Sequence, residues 1–556
     1  MQDPCALVGI KEQYIKKPEI LVSDPNEKWK VLSAVVFGLF MVILDTTVVN
    51  VAFQTIREAF GGNINDVQWV ISIYVLALGI TTPLAGFLAD RFGTKRIYLG
   101  GLALFATGSL VCGLSNSLGL LIAARALQGV GGGLALPLGT ALLLRAFPPN
   151  EQGTALGVFG IAALVAPAIG PILAGWLVDQ NLWRVIFFIN PPIGLVGVVL
   201  GIFLLPGRDR PERLAFDLGG MITEVIGFGA VLYAASIAAD QGWSSPQVLL
   251  WFAVGVVGLL LFGVVELRFA RNPLLNLRLF RERVFTYASL LGYVSTVALF
   301  GAEFLLPVYL QALRGESALQ TGFILLPMAL TGGIFVILSG WIYDRVGPRP
   351  LMAVGFAVLI VNTWQLSKLS AGTPISWILF LLMLRGMALG LTVQTTQVAA
   401  LAVVPRSDLA RGSSLINATR LVVQSIGVAV LATVLASVIT PDIKAIQNQV
   451  SQQVRPDPAH PIGICQPPDQ LNLPVPVTGG NLAQIQSALQ RACQENISGF
   501  EQAYTVTFYA AIVALALGLL LPGWPGRWAG REGIGGSGDG TLPSPVLRAG
   551  NPSLKN

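Results

Sequence analysis

Runs of about twenty apolar residues recur from one end of this chain to the other, and no other property restricts its fold so tightly. As a helix, each run is long enough to cross a hydrocarbon core roughly 30 Å thick. Leu, Val, Ile, Gly and Ala fall on every face of the runs instead of alternating every second residue, which selects buried helices over the strands of a lipid-facing barrel. Composition agrees, because 54% hydrophobic and 12% charged residues cannot clothe a water-soluble chain of 556 residues. The predicted fold class is an all-α polytopic membrane protein.

Taken in order, the spacing predicts about fourteen spans. A polar segment, 1–30, carries Lys11, Lys16, Lys17, Lys28 and Lys30 and has no cleavable signal, so the first apolar run is its own targeting signal. Six spans follow within 31–205. The stretch 206–283 holds an inserted pair of spans and a linker rich in Arg, and 284–522 holds six more, interrupted by a long polar outer loop at 441–500. The tail, 523–556, is rich in Gly, Pro and Ser and reads as disordered. About twenty-five of the 35 Lys and Arg fall on one alternating set of loops, which predicts that set and both termini to be cytoplasmic. The formal charge of +6 is thereby explained by topology and not by a nucleic-acid partner.

The six-span unit is written twice. Gly86-Phe-Leu-Ala-Asp-Arg-Phe-Gly-Thr-Lys-Arg96 returns 254 residues later as Gly340-Trp-Ile-Tyr-Asp-Arg-Val-Gly-Pro-Arg349. Each copy places an acid, a glycine for the turn (Gly93 in the first) and basic residues between two apolar runs. Register holds beyond the loop, with Arg125 and Arg385 separated by 260 residues and Gly153 and Gly412 by 259.

Charged groups inside a bilayer are costly unless they face a partner or a cavity, so each one in a span is a functional candidate. Asp45 lies near the middle of the first span, and Glu303, 258 residues on, lies at a similar depth in the first span of the second half. A carboxyl whose access to water alternates can take up and release a proton, which is what proton coupling requires. Arg125, in the fourth span, is the natural complement of such a carboxyl. Glu224 is placed nearer the end of an inserted span, where it is expected to snorkel to the interface.

In the fifth span Pro167, Gly170 and Pro171 combine a bend with small residues that allow close sliding contact. Asp90 with Arg91, and Asp344 with Arg345, are read as reversible ion-pair latches at the cytoplasmic helix ends. Cys465 and Cys493 both fall in the outer loop, on the oxidising side, and are predicted to form a disulfide contributing about 3 to 4 kcal/mol. Within that loop Leu482, Ile485, Leu489 and Cys493 recur at the spacing of a short amphipathic helix. One His and four Cys leave almost no ligands for a metal cluster or a thiol enzyme, so neither metal nor cofactor is expected.

Together these residues resemble the major facilitator superfamily, and specifically its fourteen-helix drug:proton antiporter branch. Gly86, Leu88, Asp90, Arg91, Gly93 and Lys95 fit the family's cytoplasmic gating loop, and Arg125, Gln128, Gly129 and Gly131 fit its fourth-helix relay motif. Gly170 and Pro171 fit the antiporter motif, and Leu44, Asp45, Thr46, Val49 and Asn50 the first-helix motif. Trp183-Arg-Val-Ile-Phe-Phe-Ile-Asn-Pro-Pro-Ile-Gly194 looks like the branch's lead into the sixth helix. Ala174 stands where the antiporter motif usually has Gly, and Thr94 where the gating loop often has a basic residue.

The resemblance implies a major facilitator fold, two six-helix bundles rocking about a central cavity with the inserted pair at the periphery. It implies export of small amphipathic organic compounds in exchange for protons across a bacterial inner membrane, among membrane lipid, without enzymatic chemistry. Trp69, Tyr74, Phe300, Tyr309, Gln311 and Gln394 are expected at the cavity. The outer loop is expected to cap the last helices, with docking of a periplasmic adaptor protein as the other role open to it. Proton-coupled uptake or export of one specific metabolite, such as a siderophore, is the alternative, and a non-transporting membrane scaffold or membrane-embedded enzyme the more distant one.

Overall fold

The computed structural model describes residues 26–61, 64–207, 214–438, 463–465 and 482–523. Most of the predicted amino-terminal segment, much of the outer loop and the tail lie outside these, as do the side chains of Phe300 and Glu303.

Every described element is helical. The first half comprises α1 (Glu27–Val51), the short α2 (Phe53–Phe60), α3 (Ile64–Phe92), α4 (Thr94–Leu114), α5 (Leu118–Ala146), α6 (Gln152–Asp179), α7 (Val185–Phe188) and α8 (Asn190–Leu204). The inserted pair is α9 (Leu218–Gln241) and α10 (Pro246–Val264), the latter closed by a π turn at Val265–Phe269. The second half comprises α11 (Arg283–Val308), α12 (Ala318–Val346), α13 (Pro348–Leu366), α14 (Ile375–Leu401), α15 (Leu409–Ser437) and α16 (Leu482–Leu519). Among the described residues thirteen helical segments are long and apolar enough to cross a membrane. With the 26-residue α11, which occupies the place of the span expected there, the described residues hold about fourteen.

The doubling seen in the sequence is a doubling of contacts. In the first half α5 is central, packed on α1, α3 and α4, with α8 on α1 and α4, and α6 on α1. The second half repeats this, with α14 on α11, α12 and α13, α16 on α11 and α13, and α15 on α11. The two bundles meet along α6 with α12 and along α3 with α15, two seams that exchange under the same correspondence. The doubled loops turn at glycines in the left-handed region, Gly93 (φ 99°) and Gly347 (φ 83°), where an L side chain would be strained. At the α6/α12 seam the backbones of Gly153 and Gly340 come so close that a Cβ on either would strike the other strand of chain.

α9 packs on α10, α3 and α15, so the inserted pair leans on the second seam. The outer side of α10 is apolar and uncovered, with Leu250, Val257, Leu260 and Leu261 each more than half exposed, as lipid contact requires.

Two boundaries differ from expectation. The amphipathic segment at Leu482 and the final span are one 38-residue helix, so the outer loop ends well before Phe500. No proline interrupts that stretch, and Gly499 alone does not break it because it packs against Leu435. The sixth span, expected as a single run, is broken at Ile189, where Pro191 and Pro192 supply no amide donors to continue α7.

Candidate functional site

Five helices of the first bundle bring polar groups to one point. Asp45 on α1 is 1% exposed, and both of its oxygens are occupied. Oδ2 accepts from Arg125 Nη1, while Oδ1 accepts from Gln128 Nε2 at 3.1 Å and Asn190 Nδ2 at 2.8 Å. Arg125 on α5 is equally buried, donating through Nε to the Val70 carbonyl at 3.0 Å and through Nη1 to Gln128 Oε1 at 2.9 Å. Its guanidinium lies over the Tyr74 ring, 4.1 Å from the centroid. Asn190 also donates to Ser109 Oγ at 3.0 Å, and Ser109 donates to the Phe187 carbonyl at 2.8 Å. The carboxylate is thus held by a cation and two amides away from water, a fully connected network in which removing any member strands the others.

The second bundle builds a related point. Arg385 on α14 is 1% exposed and donates to Asn362 Oδ1 at 3.4 Å and to the carbonyls of Ala298 and Leu299 on α11. Asn362 donates in turn to the Leu381 carbonyl at 2.6 Å. Glu303 lies on α11 about one turn beyond those carbonyls, and its side chain is outside the described residues. Asn190, Asn362 and Arg385 were not singled out from the sequence. For Arg385 the signal existed, since it falls 260 residues after Arg125, but that offset served only to set register.

The latches at the loop end of the bundle are built differently from expectation. Asp90 does not pair with Arg91, nor Asp344 with Arg345, because neighbours on a helix point about 100° apart and do not face one another. Asp90 instead accepts from Arg411 Nε on α15 at 2.6 Å. Asp344 accepts from the amides of Gly153 and Thr154 at 2.8 and 2.9 Å and from Thr154 Oγ1 at 2.7 Å. That carboxylate caps the positive end of α6. Each half therefore sends an aspartate from its second long helix to the first turn of the fifth long helix of the other half.

Gly86 permits the first of these contacts, since a Cβ there would strike the Arg411 backbone. Arg145 adds a third bridge, donating to Thr94 Oγ1 at 2.8 Å and to the carbonyls of Arg406 and Ser407, both at 3.3 Å. The threonine that departs from the gating-loop pattern thus has its own partner. Ser413 Oγ donates to the Pro137 carbonyl at 2.9 Å, also between halves.

The loop cations Lys95, Arg91 and Arg345 act within one half or toward the insert. Lys95 donates to the carbonyls of Ile202 and Leu205 at the end of α8, at 2.8 and 2.6 Å. Arg91 donates to the Leu214 carbonyl and covers the Phe216 ring at 3.9 Å. Arg345 lies over Trp341 at 3.2 Å.

On α6, the helix that carries Pro167, Gly170 and Pro171, Gly170 faces Thr47 of α1 while Pro171 faces Gly322 of α12. The bent stretch is therefore pressed between its own bundle and the other. Ala174, where the motif has Gly, is fully buried.

A pocket between α11, α14 and α15 is lined by Ser289, Tyr293, Thr296, Thr396, Gln397 and Arg420 among others. Of the residues expected at a cavity, Trp69 stacks instead on Tyr233 of α9, Tyr74 lies under Arg125, and Tyr309 donates to the Ser370 carbonyl. Gln394 is buried against Gly160 at the bundle interface.

Cys465 and Cys493 are joined with their Cα atoms 5.0 Å apart. The segment around Cys465 is pinned to the π turn Tyr309–Leu313 that follows α11, by hydrogen bonds from Ile464 and Cys465 to the carbonyls of Ala312 and Leu313, at 3.0 and 2.9 Å. The bridge thereby ties α16 to the α11–α12 turn. Among the described residues no group of three or more His, Cys, Asp or Glu is arranged to hold a metal.

The chain matches the model of the Major Facilitator Superfamily over residues 35–428. It is 35% identical over 397 residues to an uncharacterised transporter of that type, YhcA of Bacillus subtilis strain 168, covering 71% of this chain and 74% of the relative. It is 33% identical over 404 residues to a protein named multidrug resistance protein B homolog from Mycobacterium tuberculosis strain H37Rv, covering 72% and 75%. Among solved structures it resembles the human organic anion transporter MFSD10, with a TM-score of 0.53 at 14% identity over 87% of this chain and 99% of that one.

Proposed function

Since this chain belongs to the Major Facilitator Superfamily, and so is a multi-pass membrane transporter and not an enzyme, we propose that it exports small amphipathic organic compounds in exchange for protons. The observation that carries the proposal is Asp45, a carboxyl buried inside the first bundle and bonded to Arg125, Gln128 and Asn190. Protonation of Asp45 discharges its attraction for Arg125 and loosens five helices at once. Deprotonation draws them together again. Glu303, on α11 about one turn beyond the carbonyls that Arg385 holds, is the matching acid of the second bundle in this proposal.

The basic loop face, closed here by Asp90, Asp344 and Arg145, is taken as cytoplasmic, with both termini on that side of a bacterial plasma membrane. Each inward proton supplies about 2.3 kcal/mol per 100 mV of membrane potential and about 1.4 kcal/mol per unit of pH gradient. Either term is enough for a tenfold concentration ratio. The name of the mycobacterial relative supports multidrug export. The hydroxyls, amide and Arg420 around the pocket favour a second reading, one specific hydrogen-bonding metabolite. The disulfide's tie to the α11–α12 turn supports a capping role for the outer loop over adaptor docking.

The test is transport in proteoliposomes. Asp45→Asn is expected to lose at least about tenfold of gradient-driven export while keeping substrate exchange without a gradient. Parental export by that variant would remove Asp45 from coupling, and a response to a single compound in a broad panel would favour the specific metabolite.

A further inference from the structure

The inserted pair carries two acids that none of the chemistry above uses. Glu224, in the second turn of α9, was expected to snorkel, yet it has no exposed surface and neither carboxyl oxygen meets a hydrogen-bond donor. Glu266, in the π turn that closes α10, is 4% exposed. Its Oε1 accepts from the Leu274 amide at 3.0 Å and its Oε2 has no partner.

The two are neighbours across the α9/α10 contact. Gly220 precedes Glu224 by one helical turn, and a Cβ on Gly220 would lie 3.1 Å from Glu266 Oε1. Asp217, which caps α9 through the Gly220 amide at 2.9 Å, is a third acid on the same side, with its Oδ2 unpartnered.

The elements packed against this point supply few answering charges. From α10 and its π turn there is Glu266 itself, while Arg268 and Arg271 beyond it, and Arg278 and Arg281 of the 3-10 turn Leu277–Arg281 that packs on the π turn, are exposed. α3 offers Asp90 and Arg91, the former bound to Arg411 and the latter to the Leu214 carbonyl. α15 offers Arg411, whose Nε is held by Asp90, and at its start Asp408, which accepts at 3.1 Å from Asn276, two residues after the Leu274 that binds Glu266. A carboxylate anion with no donor is costly in such a place, and two side by side repel. The acids are not disposed as a metal site. A single proton removes both costs.

We propose that Glu224 and Glu266 form a second proton-binding site, one that fills when the Asp90–Arg411 contact closes and empties when it opens. When α3 and α15 separate, Arg411 loses Asp90, and the connection that binds Glu266 through Leu274 and Asp408 through Asn276 leaves Glu266 as the acid near the start of α15 to answer it. The proton leaves a carboxyl oxygen of the pair for water at the loop face, and the resulting anion takes Arg411 as its partner. Closure returns Arg411 to Asp90 and draws a proton back. The inserted helices thus report the state of the latch. This rests on the alternating motion proposed above but not on Asp45.

Infrared difference spectra of the full-length protein in proteoliposomes, taken between acid and alkaline buffer, test it. The parent is expected to show the carbonyl stretch of a buried, protonated carboxylic acid that disappears as pH rises. The band should persist in Asp45→Asn and be absent in Glu224→Gln. In Glu266→Gln, where repulsion is gone, and in Asp90→Asn, where Arg411 is released, it should disappear at a pH about one unit lower. A parental band in Glu224→Gln overturns the site. An unmoved titration in Asp90→Asn overturns the link to the latch. Loss of the band in Asp45→Asn alone would assign the proton to Asp45 instead.

Discussion

A buried guanidinium has to be answered group by group, and Arg125 is answered by a carboxylate, an amide oxygen, a backbone carbonyl and an aromatic face. Breaking such a pair from one side strands a buried charge, at a cost of about 3 to 5 kcal/mol. Removing both charges together strands none. Arg125→Gln is therefore expected to be strongly destabilising in detergent, and Asp45→Asn with Arg125→Gln markedly less so. Thermal unfolding of the two singles and the double measures the difference, and strictly additive losses would show that the two are not each other's counter-ion. Asp45 and Arg125 were both visible in the sequence as charges in apolar runs. Asn190 was not, because an asparagine next to two prolines reads as a turn residue until α8 is seen to aim it at Asp45.

The helix pair α6 and α12 shows what small residues do at the scale of elements. Gly153 and Gly340 remove the side chains that would otherwise hold the helices apart, and the contact sets Asp344 against the first turn of α6. Gly340→Leu is expected to wedge the seam open at the loop face. An overpacking cost of about 1 to 3 kcal/mol against closure corresponds to a loss of transport of roughly five- to 150-fold. Gly333→Leu, on the same helix with open space around it, is expected to be silent. Equal transport rates for the two variants would mean that closure at Gly340 is not on the transport cycle. The proline-glycine stretch of α6 was legible as a bend with small residues. That it lies between α1 and α12 was not, because sequence gives a helix's faces and not its neighbours.

Across the whole molecule the same contact pattern occurs twice, and the two halves touch through seams that exchange under that repetition. Such an arrangement has two closures available, one at each face, and at the loop face three polar bridges hold it shut. Spin labels placed through Asn150→Cys and Arg345→Cys, both exposed and on opposite sides of the α6/α12 seam, report on this directly. Their separation is expected to be short at rest and to gain a longer population under a proton gradient with substrate. A single unchanging distance through turnover would rule out rocking about these seams. The inserted pair rests on the α3/α15 seam through α9, which places Glu224 and Glu266 where opening of that seam is felt.

The sequence by itself determined the approximate number of spans, the doubling of the bundle, the loops that turn at Gly93 and Gly347, and the burial of Asp45 and Arg125. Lipid acts as solvent on each residue separately, so its penalties are written into the order of residues whatever the partners turn out to be. Only the tertiary structure decided which groups meet. Asp90 finds Arg411 321 residues away, Asp344 caps α6, and Glu224 is enclosed beside Glu266 instead of reaching the interface. A hydrogen bond is chosen by where two helices cross, and that is fixed by the packing of the whole bundle and by no local pattern.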